Sequence, residues 1–168
     1  MSNTTITLEP GSLACVPLQG ICQVLNIEES EILGQRHRFF VLETQEEKVL
    51  VKVPEKQLES QGIRPLMSAD VMTSLLEKHL DVEVPQGRPH LRVRKWTSLL
   101  RTGEFGCRRQ VLAELQAIED GGGRLSKQEA ALKDRVRHNL EQEIALVLGL
   151  SRDQAEDRLK LCLSLSNN

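Results

Sequence analysis

Residues 88 to 103 read RPHLRVRKWTSLLRTG, and the stretch gathers Arg88, Arg92, Arg94, Lys95 and Arg101 without one acidic residue. Arginines and lysines clustered in this way suit contacts to phosphate oxygens, which depend on charge and carry no base information. A face that serves solubility alone usually mixes the two signs. The whole chain has a formal net charge of -2, so the cluster stands against an acidic background. Arg108 and Arg109 follow closely and extend the positive region in the sequence. On a helical wheel, Pro89, Val93, Trp96 and Leu100 share one narrow face. Arg88, Arg92 and Lys95 form a neighbouring stripe, and Arg94 with Arg101 lies on the far side. Trp96, set between Val93 and Leu100, reads as a core residue rather than a wedge between bases.

The other reactive side chains form no catalytic constellation. Cys15, Cys22, Cys107 and Cys162 contain no C-x-x-C pair, and His37, His79, His90 and His138 are not spaced beside them as zinc ligands. Small buried thiols of a reducing compartment are the expected reading. There is no HExxH, no GxSxG and no Gly-rich phosphate loop. The GGG at 121 to 123 lacks a preceding strand and a suitably placed lysine, so it reads as an interhelical loop. Neither an enzyme nor a cofactor nor a bound metal is expected. With three Phe, one Trp and no Tyr, the chain has almost nothing from which to build a stacking platform for single-stranded nucleic acid. MSNTTITLEPGS at the start has neither a basic segment nor an apolar run, and no segment has the apolar length of a membrane span. A soluble, cytoplasmic protein is expected.

The elements that must position the basic stretch fall into two halves. Residues 1 to 66 read as β-rich. ICQVLNIEE and RHRFFVLET are short apolar segments separated by SEILGQ, a turn region with Gly34, and KVLVKVP alternates Val49, Val51 and Val53 against Leu50 and Lys52. TQEEK suits a hairpin loop, and Pro54 should end a strand or lie at an edge. Short strands with close turns indicate a small barrel or sandwich. Residues 67 to 168 have the helical period, and about five helices are expected. Ser68 is placed to cap a helix whose inner side carries Val71, Leu75 and Leu80. Ser126-x-x-Glu129 and Ser151-x-x-Gln154 are capping boxes. Between them Leu132, Val136, Leu140, Ile144 and Val147 make the stripe of a long core-facing helix, closed by Gly149. Ala155, Leu159 and Cys162 mark a last amphipathic helix.

Several segments in order resemble the CarD/CdnL family of bacterial transcription regulators, and the chain reads as a divergent paralogue. VPLQGICQVLNIE is similar to the family's opening strands, GQRHRFFVLET to its G-x-x-x-x-FYVL segment, and VKVPEKQLESQGIRPLMS to its VP…GLR…S segment. LLRTGEFGCRRQVLAEL and RLSKQEAALKDRVRHNLEQEIALVLGLSRDQAED resemble the family's helical parts. The resemblance implies an α+β fold: a small Tudor-like β-barrel that docks on the RNA polymerase β subunit, then an all-α bundle that touches promoter DNA at the upstream edge of the melted region. It places Val51, Lys52, Val53 and Pro54 on the polymerase-facing edge, where docking works by strand addition. It makes Arg88, Arg92, Arg94, Lys95 and Arg101 the DNA-facing set. Two positions depart from the family. Pro89 or Arg88 stands where the family has a minor-groove tryptophan, and Val16 replaces its tyrosine. The other function to weigh is therefore a polymerase-associated adaptor of the same fold, whose helical part holds another regulatory protein.

Overall fold

The computed structural model describes residues 8–164. The N-terminal half forms β1 (Leu13–Val16), β2 (Gly20–Ile32), β3 (Gln35–Thr44), β4 (Leu50–Pro54) and β5 (Arg64–Pro65). All neighbours pair antiparallel, in the order β4-β3-β2-β1-β5. The two-residue period decides which side chains enter the core. In β4, Val53 is buried and Val51 half-buried while Leu50 and Lys52 face outward, and the strand stops at Pro54, which has no N–H to extend a ladder. Ala14, Val16, Cys22, Val24, Phe40, Leu42 and Val53 share one core with Leu58 and Ile63.

The sheet is open, where the resemblance implies a closed Tudor-like barrel. Among the described residues, β5 is only two residues long and pairs with β1 alone, while β4 pairs with β3 alone. Between them run a 3-10 turn (Glu55–Gln57) and a loop whose Leu58 and Ile63 are 2% and 1% exposed. Apolar side chains, rather than ladder hydrogen bonds, complete the core there. The turn expected across SEILGQ is also tighter than the sequence implied. β2 and β3 pair as far as Ile32↔Gln35 and are joined by Leu33 and Gly34 alone. Their φ values of 52° and 76° are both left-handed, the signature of a type I′ hairpin turn. For Leu33 that backbone costs about 1–2 kcal/mol, which a glycine would avoid.

Five helices follow among the described residues: α1 (Ala69–Glu77), α2 (Pro89–Leu100), α3 (Phe105–Asp120), α4 (Lys127–Leu148) and α5 (Arg152–Ser164). Ser68 caps α1 by accepting from the Val71 N–H at 3.4 Å. The inner side of α1 is not the expected Val71–Leu75–Leu80 line. Met72 and Leu76 are buried, Val71 is half exposed and Leu80 lies beyond the helix end. The two buried positions are four apart, so the face is right-spaced but rotated by one residue. α4 follows the sequence closely. Ser126 and Glu129 form the complete capping box, Leu132, Val136, Leu140 and Ile144 are buried, and Gly149 ends the helix at φ 64°. Ser151 and Gln154 exchange the same reciprocal bonds at the start of α5, whose Ala155, Leu159 and Cys162 face the core.

The sheet and the bundle meet along α4 and the end of α2. Glu143 of α4, fully buried, receives both guanidinium nitrogens of Arg64 from β5 at 2.8 and 3.2 Å and a third bond from Arg108 of α3. Arg64 also donates through Nε to the Gly103 carbonyl at 2.8 Å. Beside it, the loops at Gly62 and Gly103 touch backbone to backbone. A Cβ on Gly103 would sit 1.9 Å from the Gly62 carbonyl oxygen, and both glycines have left-handed φ. The Ile21 N–H donates to Gln142 at 3.3 Å, adding a contact from β2 to α4.

Burial pushes the Glu143 carboxyl up, but Arg108 and Arg64 outweigh it and hold the group below its ordinary value. Glu129 is likewise lowered, with the Ser126 backbone N–H and Arg92 outweighing burial. The folded chain therefore binds these protons less readily than the unfolded one. Their contribution to stability is complete above the ordinary glutamate value of 4.5 and is lost as pH falls through the depressed folded values. Denaturant unfolding between pH 7 and pH 3 should show that decline. Glu143→Gln should flatten part of it and cost about 3–5 kcal/mol at pH 7, because the buried Arg108 and the half-buried Arg64 lose their counter-charge.

Trp96 is fully buried, and its indole N–H donates to Glu114 at 2.7 Å. Trp96→Ala should lower stability by about 3–5 kcal/mol, read by thermal melting.

Candidate functional site

The candidate docking edge is β4. Of its predicted residues, Val51 and Val53 point toward the core and offer a partner chiefly backbone, whereas Lys52 is exposed and Pro54 partly so. The Lys52 ammonium lies 2.5 Å from Glu28 and 5.0 Å above the Phe39 ring. Pro54↔Phe39 and Lys52↔Val41 are cross-strand pairs, which puts both side chains on the outer face of the sheet. Because β4 pairs only with β3, its other edge carries no strand among the described residues. That is the geometry strand addition requires.

The second candidate is the cationic helix α2. Pro89 occupies the first turn, where its missing N–H leaves no bond unmade, and Arg88 is the N-cap residue. The buried side of α2 carries Trp96 and Leu100, with Val93 half-buried. Arg88, Arg94, Lys95 and Arg101 are exposed. None of the four forms an ion pair with a described residue, although Arg38, Lys52, Lys133 and Lys160 elsewhere on the surface all do. Exposed cations without an ion-pair partner among the described residues, such as Arg36, Lys127 and Arg135, also occur elsewhere, but α2 and the residues that flank it gather four of them between positions 88 and 101.

Arg92 is placed differently from the other members of the predicted set. Its guanidinium pairs with the buried Glu129 at 2.7 Å and donates to the Gly87 carbonyl at 2.9 Å. It joins α2 to the N-terminal turn of α4 rather than pointing outward. Arg108 and Arg109, expected to extend the positive surface, are each only 3% exposed. Arg108 binds Glu143, and Arg109 donates to the carbonyls of Leu75 and Lys78 at the end of α1. No local pattern marks these inward roles, since the partners lie 31 to 37 residues away. The one local signal was the capping-box glutamate, which turns out to serve Arg92 as well.

A cleft of about 530 Å³ lies beside α2, bounded by the 81–87 segment, Lys95, Trp96 and Glu114. Its most buried carboxylate, Glu114, already accepts from Trp96 and from Gln110 at 2.9 Å. Burial raises the Cys15 thiol pKa and takes that of Cys22 to about 11, so both are poor nucleophiles. Among the described residues no three His, Cys, Asp or Glu side chains converge to hold a metal ion. No helix among them is long and apolar enough to cross a membrane.

Comparison with known proteins bears on the sheet. The family model of the CarD-like/TRCF RID domain matches residues 8–67. The solution structure of the 72-residue N-terminal domain of Myxococcus xanthus CarD aligns at 30% identity, over 38% of this chain and 85% of that one, with a TM-score of 0.31. No curated protein matches the chain. The family match ends at residue 67, so the arrangement of α1 to α5 is known from the structure alone. The matched residues, however, comprise the entire sheet, including its open β4 edge and Arg64, the residue that grips Glu143. By that match and by its identity to the CarD domain, the chain belongs to the CarD-like family.

Proposed function

We propose that this protein is a non-enzymatic transcription regulator that docks on the RNA polymerase β subunit through β4 and sets α2 against promoter DNA near the upstream edge of the open complex. The observation that carries the reading is a pairing of surfaces. An unpaired strand edge within a CarD-like/TRCF RID domain and a cationic helix belong to one chain, joined through Arg64, which holds both Glu143 of α4 and the Gly103 carbonyl just beyond α2. Strand addition would supply affinity for the polymerase through backbone hydrogen bonds, with Lys52 and Pro54 flanking the join. Arg88, Arg94, Lys95 and Arg101 would then meet phosphates. Backbone contacts of this type are weak alone and gain from the high local concentration that tethering gives. With Trp96 committed to the core, α2 presents no aromatic wedge, and the DNA contact is electrostatic.

Leu91 favours a second reading. It is 53% exposed in the same helix as Arg94 and Lys95, an apolar side chain among cations that would suit an acidic protein surface. In that case the chain is an adaptor, and α2 holds another regulator instead of DNA.

Salt dependence separates the two. Polymerase-bound protein titrated on upstream-fork duplex should lose affinity steeply with salt. Arg94→Ala, Lys95→Ala and Arg101→Ala should each reduce the slope of log affinity against log salt by about one unit. Arg92→Ala should leave the slope nearly unchanged and instead lower stability, since its partner Glu129 is buried. A slope common to wild type and the three outward variants would exclude phosphate contacts and leave the adaptor. Docking is tested separately. Lys52→Glu sets a second carboxylate against Glu28 at the join and should weaken polymerase binding with the DNA slope intact, as measured on immobilised polymerase.

A further inference from the structure

Beyond the last β4 pair, Pro54↔Phe39, strands β2 and β3 continue as a two-stranded arm to the Leu33–Gly34 turn. Six residue steps from Phe39 to Leu33 correspond to a reach of about 20 Å. Among the described residues no third strand supports this ribbon, and most of its side chains are exposed on both faces.

The two faces of the arm differ in kind. The pairs Glu29↔Arg38 and Glu31↔Arg36 lie on one face and are fully charged. The alternate pairs, Ser30↔His37 and Ile32↔Gln35, lie on the other face and carry no carboxylate, lysine or arginine. That second face runs back into Phe39, whose ring contacts His37 at 6.5 Å, and into Glu28, neutralised by Lys52. It is therefore continuous with the outer face of the β4 edge. At its far end Ile32 is 46% exposed and Leu33 is 99% exposed.

Leu33 is poorly suited to its place. The first central position of a type I′ turn favours Asn, Asp or Gly, and nothing among the described residues covers the side chain. A residue that opposes the local backbone preference and contributes no packing calls for a reason outside the fold. We propose that the arm is a second docking element, and that Leu33, flanked by Ile32, inserts into an apolar pocket with an uncharged rim on the polymerase. This inference rests on the docking role of β4. The strand edge and the tip would then engage one partner at two points about 20 Å apart, fixing the orientation as well as the position of the bound protein.

The test uses the full chain on immobilised polymerase, comparing wild type with Leu33→Asn, Leu33→Met and Lys52→Glu. Asn creates the Asn-Gly pair that type I′ turns prefer, so Leu33→Asn should melt at the same temperature as wild type or higher. Its affinity for polymerase should nevertheless fall about tenfold or more, as expected when a buried leucine contact is lost, while Leu33→Met should retain binding. If Leu33→Asn binds like wild type while Lys52→Glu is weakened, the β4 docking reading stands and the tip contact is wrong. If wild type itself fails to bind polymerase, both are overturned. If sedimentation shows that Leu33→Asn converts a dimer into a monomer, the occupant of the tip is a second copy and the proposal is likewise overturned.

Discussion

Glu143 keeps a full charge at a site without solvent, and it can do so only because two arginines from different parts of the chain reach it together. Arg64 comes from the last strand of the sheet and Arg108 from α3, so a single carboxylate on α4 holds three elements in register. Removing Glu143 leaves two arginines without their counter-charge, a penalty that the apolar contacts nearby do not offset. The position of the sheet on the bundle follows from this. Arg64 can grip Glu143 only if β5 lies beside α4, and its bond to the Gly103 carbonyl draws the end of α2 to the same place.

A consequence of that arrangement is a division of labour among the positive residues. Those nearest the junctions, Arg64, Arg92, Arg108 and Arg109, are consumed by internal carboxylates and carbonyls. Those on the outer side of α2 are left uncompensated. Net charge says nothing of this. The chain is slightly acidic overall, yet the outer cations of α2 have no ion-pair partner among the described residues, and the buried acid Glu129 beside the helix is engaged by Arg92.

What could be read in the sequence was what is encoded locally. The α4 stripe, both capping boxes, the Gly149 terminus and the burial of Trp96 each follow from spacing within one or two turns, and the structure has them where the spacing put them. The β4 alternation and its stop at Pro54 are legible for the same reason. Failures fell where the deciding partner is remote. Arg92, Arg108 and Arg109 looked like surface charges because Glu129, Glu143 and the carbonyls of α1 are distant in sequence. The α1 face is not decided locally, because Val71, Met72 and Leu75 are all apolar and only the neighbouring helices choose among them. Sheet closure is not legible in the sequence because it depends on whether a two-residue strand extends, and Leu58 and Ile63 fill the gap without it. The arm tip gave no signal at all, since Leu33 looked like one more residue of a turn.

The backbone contact between Gly62 and Gly103 has a bearing on how this family member can change. It closes a loop of chain at its base, so β5, α1, the 79–88 segment and α2 depart from and return to one fixed point. Within such a closed excursion, added length is tolerated well, because doubling a flexible connection costs only about 0.6 kcal/mol of closure entropy. The 79–88 segment is the natural place for it, being largely exposed and without helix or strand. Lineages could lengthen or rewrite that segment, and with it the rim of the cleft beside α2, while the sheet, the ion cluster and the helix axis remained where they are. The two glycines themselves form the opposite case: neither can acquire a side chain unless the loops separate.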